Sequence, residues 1–242
     1  MKRCFNRQEK IIDCDWEFIS KQRTTAEPHS PMPRLKDLLE YVASAGLEEI
    51  WILLDIKLDN DPTDMMRLIA STIASVPSQP NRPWHKRIVL GIWAAKYLSL
   101  CEDYLPGFPV SHIGFSTMYA SRFFKVPNIS FNMLHQVLHG PFGIQFIRKA
   151  KSLNREIFVW TVNDENRMRW AIRKELDGVV TDDPEKFLEV CKDYEQPPLE
   201  KSIKEKESYS IGDWYSIMRI QVLVTFFVVL FRYRFGGRVD AK

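Results

Sequence analysis

No Cys-x-x-Cys pair occurs in this chain, and no histidine stands at zinc-finger spacing from its four cysteines, Cys4, Cys14, Cys101 and Cys191. That argues against a disulfide framework and a structural zinc, and for a reducing, intracellular setting. An excess of one charge is lacking too. The net charge is +3, with Lys and Arg mixed among Asp and Glu, so nucleic acid is not an expected partner. The opening MKRCFNRQEK has no apolar run behind its basic residues and is not a secretory signal. No Gly-x-Gly-x-x-Gly follows a strand-like run, which leaves a dinucleotide-binding open sheet without support. What is present is ordinary globular material: 242 residues, 45% hydrophobic and 12% aromatic, enough for one large domain or two small ones.

Six apolar, strand-like runs alternate with amphipathic stretches from Ile50 onward. They are IWILLDIK from Ile50, RIVLGIW from Arg87, VSHIGFS from Val110, NISF from Asn128, EIFVWTVN from Glu156 and DGVVTD from Asp177. Helices are predicted from Asp64, Ala94, Ser116, Gly143, Asp164 and Pro184, the last with proline in the favoured first turn. An earlier helix, PRLKDLLEYVASAG, is expected to close at Gly46, and the thirty or so residues before Pro33 read as polar and irregular. Strand followed by helix, repeated, predicts a parallel sheet with helical crossovers. An open doubly wound sheet and a (β/α)8 barrel both satisfy the pattern, and the barrel is two units short of closure.

In IWILLDIKLDN, five apolar residues run straight into Asp55, with Lys57 two places on. Residues two apart share a strand face, so Asp55 and Lys57 lie on one side and Ile56 on the other. Two readings stand: a solvated strand end whose charges pair weakly, with Lys57 also in reach of Asp59 or Asp61, or a site. Polar residues gather at the carboxyl ends of other runs as well, at Ser116, Thr161, Asn163, Thr181 and Asp182. In parallel sheets ligands bind at that end.

Three segments, WILLDIKLDNDP, IFVWTVNDENRMRWAI and LDGVVTDDPEKF, in this order and at these separations, resemble the glycerophosphodiester phosphodiesterase family. The agreement runs from about Lys2 to about Leu188, and MPRLKDLLEYV before LLDIK resembles the fungal branch that includes the phosphatidylglycerol-specific phospholipase C. The resemblance implies a (β/α)8 TIM barrel that cleaves a phosphodiester with a divalent metal, magnesium or calcium. It makes Asp55, where the family usually has Glu, an oxygen ligand of that metal, and Lys57 a contact to the substrate phosphate. Trp160 would wall the bound glycerol, or simply pack in the core, and Asn163 would touch substrate at the rim. Asp177, Gly178, Thr181 and Asp182 would fix the last strand and its turn.

The chain departs from the family where it matters most. The family's general acid and base is a His in an H-R-G motif on the first strand, its other metal carboxylates stand in an E-x-D motif on the second, and a second His stands in an H-D motif. This sequence carries none of them where the family has them: His29, His85, His112, His135 and His139 are not followed by Arg-Gly or by Asp, and no E-x-D stands ahead of the strand runs. No catalytic residue is therefore expected to be retained. Six strand runs then equal the last six βα units of an incomplete barrel, with the amino-terminal catalytic part missing.

The domain reading is a barrel over 1–194, a polar linker over 195–213 and a hydrophobic, membrane-associating tail over 214–242. The apolar run Ile220–Phe231 holds about twelve residues, short of the ~20 that span a bilayer as a helix. Extension to Trp214, with interfacial aromatics and Arg232, Arg234 and Arg238 beyond, favours membrane association. A buried helix packed on the barrel is the other reading. Two functions follow: an intracellular, membrane-associated phosphoric diester hydrolase of glycerophospholipids or glycerophosphodiesters, weak or inactive as this chain, or a noncatalytic membrane-bound phosphate-binding scaffold.

Overall fold

The structure is a computed structural model that describes residues 2–195, Tyr215, residues 218–220 and 222–223, and Phe226. Nearly all of the expected linker and most of the expected tail helix lie outside the described residues. Among the described residues no helix is long and apolar enough to cross a membrane. The described residues fall into two compact units, the first holding those up to 89 with 99–108 and the second those over 90–98 and from 109 onward. Six strands hydrogen-bond in chain order, β1 to β6, and those from β2 onward pair in parallel.

In the first unit, α1 (Lys2–Phe5) and α2 (Trp16–Ser20) precede α3 (Leu35–Val42), β1 (Ile52–Ile56) and α4 (Pro62–Ser75). The stretch before Pro33 is thus not wholly irregular. The Asp15 carboxylate accepts from Phe18 N–H and caps α2, a short-range signal that its polar composition hid. Nor does α3 run to Gly46: it stops at Val42, and Gly46, at φ +87°, sits in the turn beyond, its N–H donating to Glu48. Asp61 caps α4 with Pro62 in the first turn. Leu39 and Val42 of α3 and Met66, Ile69 and Ile73 of α4 are buried where the two helices pack. Their spacing of three and four is what a helix needs to present one apolar stripe.

The polar centre of this unit is Arg87, only 2% exposed. Its guanidinium donates to the carbonyls of Ile50, Val42 and Leu47 and lies over the Trp84 ring. Its own carbonyl accepts from Ile52 N–H at 2.7 Å. One side chain thereby satisfies carbonyls of the α3–β1 connection that would otherwise be buried without donors.

Along the chain follow β2 (Ile88–Ile92) and α5 (Tyr97–Tyr104), whose residues 99–104 belong to the first unit, and then, in the second unit, β3 (Val110–Gly114), α6 (Thr117–Ala120), β4 (Ser130–Leu134), α7 (Gly140–Ser152), β5 (Ile157–Trp160), α8 (Glu165–Arg173), β6 (Gly178–Val179) and α9 (Pro184–Glu195). β4 lies two to three residues beyond the expected NISF, because Asn128 at φ +54° turns the chain first. Pairing matches Ser111 with Ser130 and Leu134 with Trp160. Alternation then gives the strands two faces. On the helix-covered face His112 stacks on Phe123, and Phe131 packs against Phe124 and Phe146. The opposite face carries Ser111, Ile113, Asn132, Phe158 and Trp160. Gly143 fits at the start of α7 because any Cβ there would meet the Leu138 backbone.

Candidate functional site

At the end of β1 the apolar run buries Ile56 on one face and exposes Asp55 and Lys57 on the other. The Lys57 ammonium donates to Asp55 Oδ2, with the side chains 59% and 44% exposed. Asp61 caps α4, its side chain accepting from Asp64 N–H. At that exposure the pair contributes ~0–1 kcal/mol to folding, so stability alone gives little reason for placing two charges at the end of a core strand.

The residues at hand do not compose a site for a hard divalent cation, which takes six or more oxygens from several groups. Among the described residues no three of His, Cys, Asp and Glu come together as such an ion would need, and Asp55 shares its carboxylate with the Lys57 ammonium. Asp55 supplies one acceptor and Lys57 one mobile point charge of the sign that a phosphate attracts.

In the second unit, the carboxyl ends of the strands carry aromatic rings. Trp160 meets Trp93 edge-on at 5.6 Å, and Trp93 meets Phe115 at 6.4 Å. The Trp160 indole N–H donates to the Asn132 carbonyl at 3.0 Å, so the ring is held by its polar edge while remaining partly exposed. Asn163 is tied into the β6 turn. Its Oδ1 accepts from Asp182 N–H and the Thr181 hydroxyl, and its Nδ2 donates to Asp182. Asp177 accepts from Ile157 N–H at 2.7 Å and thereby ties the residue before β6 to β5. The sole Glu-x-Asp string, Glu175 to Asp177, has the same structural character, since Glu175 pairs with Lys151. Ser116 caps α6 by accepting from Tyr119 N–H.

Two histidines sit in this unit's interior, and their burial was not anticipated. His112 is pushed down to about 3 by burial; the Ile92 backbone opposes the shift without reversing it. His135, just past β4, is pushed down to about 4, by burial first and then by the charges of Arg167 and His139, against the Trp160 backbone and Asp164. Both imidazoles are neutral at physiological pH. His139 stacks on Trp170, and His85 packs edge-on to Phe108. The only advance sign was position: His112 falls inside the expected strand run VSHIGFS.

Residues 1–186 match the glycerophosphoryl diester phosphodiesterase family. Solved structures with the same fold include an Oleispira antarctica phosphodiesterase in complex with the product sn-glycerol-3-phosphate, at 12% identity and TM-score 0.66, covering 79% of this chain and 76% of that one. A glycerophosphodiester phosphodiesterase from Parabacteroides distasonis is similar at 19% identity and TM-score 0.61, covering 76% and 73%. A protein from Silicibacter pomeroyi, described as a glycerophosphoryl diester phosphodiesterase, is similar at 20% identity and TM-score 0.56, with 67% of this chain and 57% of that chain covered.

Proposed function

This chain belongs to the glycerophosphoryl diester phosphodiesterase family, and from that premise we propose that it serves the hydrolysis of a glycerophosphodiester or of a glycerophospholipid headgroup, in the manner of a phosphatidylglycerol-specific phospholipase C. The observation that carries this reading is the Asp55–Lys57 pair, two charges placed on the exposed face at the end of an apolar strand whose Ile56 is buried. In this proposal Lys57 meets the phosphate and balances charge that builds on its oxygens as the bond breaks. Trp160 offers an apolar ring to the glycerol carbons, and Asn163 a polar contact at the rim. Asp55 is one carboxylate of a magnesium or calcium site whose remaining ligands are not among the described residues.

Breaking a phosphodiester also requires a proton taken from the nucleophile and one given to the leaving oxygen. No histidine of this chain lies in an H-R-G or H-D motif, and His112 and His135 are held neutral in the interior. The reading therefore includes a six-strand portion of a (β/α)8 barrel with weak or no turnover by itself. It places the protein inside the cell, attached to a membrane through 214–242, a placement supported by the apolar run Ile220–Phe231.

The test is release of glycerol phosphate from glycerophosphodiesters, and of phosphorylated headgroup from phosphatidylglycerol, with magnesium or calcium. The purified chain is measured alone and with a separate polypeptide carrying the H-R-G and E-x-D strands of a relative. Little turnover alone, and metal-dependent turnover on complementation that Lys57→Ala abolishes, is the expected result. A complemented, folded protein without turnover would favour the noncatalytic phosphate-binding scaffold.

A further inference from the structure

Between α6 and α7 the second unit carries a groove of about 840 Å³ that the phosphodiesterase chemistry does not use. Met118, Phe124, Phe142 and Phe146 give it an apolar lining, and Arg148 and Lys149 stand along the same wall. Met118 and Phe142 are 62% and 69% exposed, a large apolar display for side chains with no part in a core. Phe142, Gln145, Phe146, Lys149 and Ser152 recur at three- and four-residue steps and form one stripe of α7. Among the described residues neither Arg148 nor Lys149 has a carboxylate partner.

The sequence around the groove has one sign of charge. No Asp or Glu stands between Asp103 and Glu156, whereas Arg122, Lys125, Arg148, Lys149, Lys151 and Arg155 do. A nearly neutral protein thus holds a wholly cationic segment, and the groove lies inside it. Apolar tips flanked by cations match an anionic phospholipid surface, where hydrocarbon takes the tips and phosphates take the cations. The chain's own apolar run carries the wrong sign for the groove, with Arg219 before it and Arg232, Arg234 and Arg238 after it. Nucleic acid would leave Met118 and Phe142 without an apolar partner.

We propose that this groove docks an anionic phospholipid of the bilayer, with an acyl chain along Met118, Phe124, Phe142 and Phe146 and the phosphate at Arg148 and Lys149. The proposal rests on the lipid-substrate reading above and adds a place where the protein meets the lipid surface.

The experiment uses the full chain on vesicles of phosphatidylglycerol or phosphatidylcholine doped with an acyl-chain diazirine phosphatidylglycerol, followed by mapping of the adducts. The expected result is labelling of peptides spanning 117–124 and 142–149 on phosphatidylglycerol. Replacing Arg148 and Lys149 by Gln should reduce it about fivefold for each cation removed. Phe142→Asp, at an exposed position, should reduce it further while leaving labels in 214–242 unchanged. Labels confined to 214–242, or equal groove labelling in the variants or on phosphatidylcholine, would overturn the proposal. Groove labelling in a protein that never hydrolyses a phosphodiester, even when complemented, would leave docking intact and remove the hydrolase reading alone.

Discussion

At the end of β1 two exposed, charged side chains pair with each other. At the ends of β5 and β6, Asn163, Thr181 and Asp182 are engaged by neighbouring polar groups, and Asp177, just before β6, accepts from the Ile157 N–H. Both places looked alike as sequence, polar residues closing an apolar run. The difference teaches that a polar strand end is structural when its atoms are consumed by the backbone around it. It is open to a ligand when its groups stand in solvent, as the Asp55 and Lys57 side chains do at 44% and 59% exposure.

The sharpest way to test that contrast is to remove the polar group on which the first unit most depends. Arg87→Leu leaves the buried Val42 carbonyl and the part-buried Leu47 and Ile50 carbonyls without this donor, and a buried acceptor left unpaired costs about 1–3 kcal/mol. Urea titration should show a midpoint lowered accordingly; an unchanged midpoint would mean that water replaces the guanidinium.

Acid offers a second break, in the interior of the second unit. His112 and His135 have folded values of about 3 and about 4, below the unfolded 6.5. The unfolded chain therefore binds more protons between pH 6.5 and pH 4, and stability falls as pH falls through that window, by at most ~1.4 kcal/mol per pH unit for each histidine. His112→Leu should flatten the profile by about half, as read by denaturation at pH 6.5, 5.5 and 4.5.

Smaller effects separate the two strand ends directly. Asp177→Ala strands the Ile157 N–H and should cost ~1–3 kcal/mol, and Asn163→Ala should fall in the lower part of that range. Asp55→Ala and Lys57→Ala should each change stability by less than ~1 kcal/mol while abolishing any turnover of the complemented protein. A large loss of stability at Asp55 would move β1 into the structural class.

Periodicity located five of the strands to within a few residues, because runs such as RIVLGIW and EIFVWTVN have no competing reading once buried on both faces. β4 is displaced by two to three residues, because Asn128 at φ +54° turns the chain first and the buried Ser130 and Asn132 interrupt the apolar run. Periodicity missed α2, whose existence rests on one cap at Asp15. The Asp55–Lys57 alternation was legible because two residues two apart must share a face. The role of Asn163 was not, because its partners lie 18 and 19 residues away in the β6 turn. Arg87 was read only as the first residue of a strand; nothing local reveals partners 37 to 45 residues away.

Arg87 has a consequence for fidelity. Strands carry side chains alternately up and down, so a slip of one residue would turn Asp55 and Lys57 toward the buried face and bring Ile56 out into solvent. Tight hairpins prevent slippage through their turns, but β1 is reached across a long connection that imposes no such limit. Here a residue at the foot of β2 holds Val42, Leu47 and Ile50 by its side chain and Ile52 by its backbone. The guanidinium thus measures out the chain before β1 like a ruler, and its grip on Val42, Leu47 and Ile50 decides which side of the strand the two charges appear on.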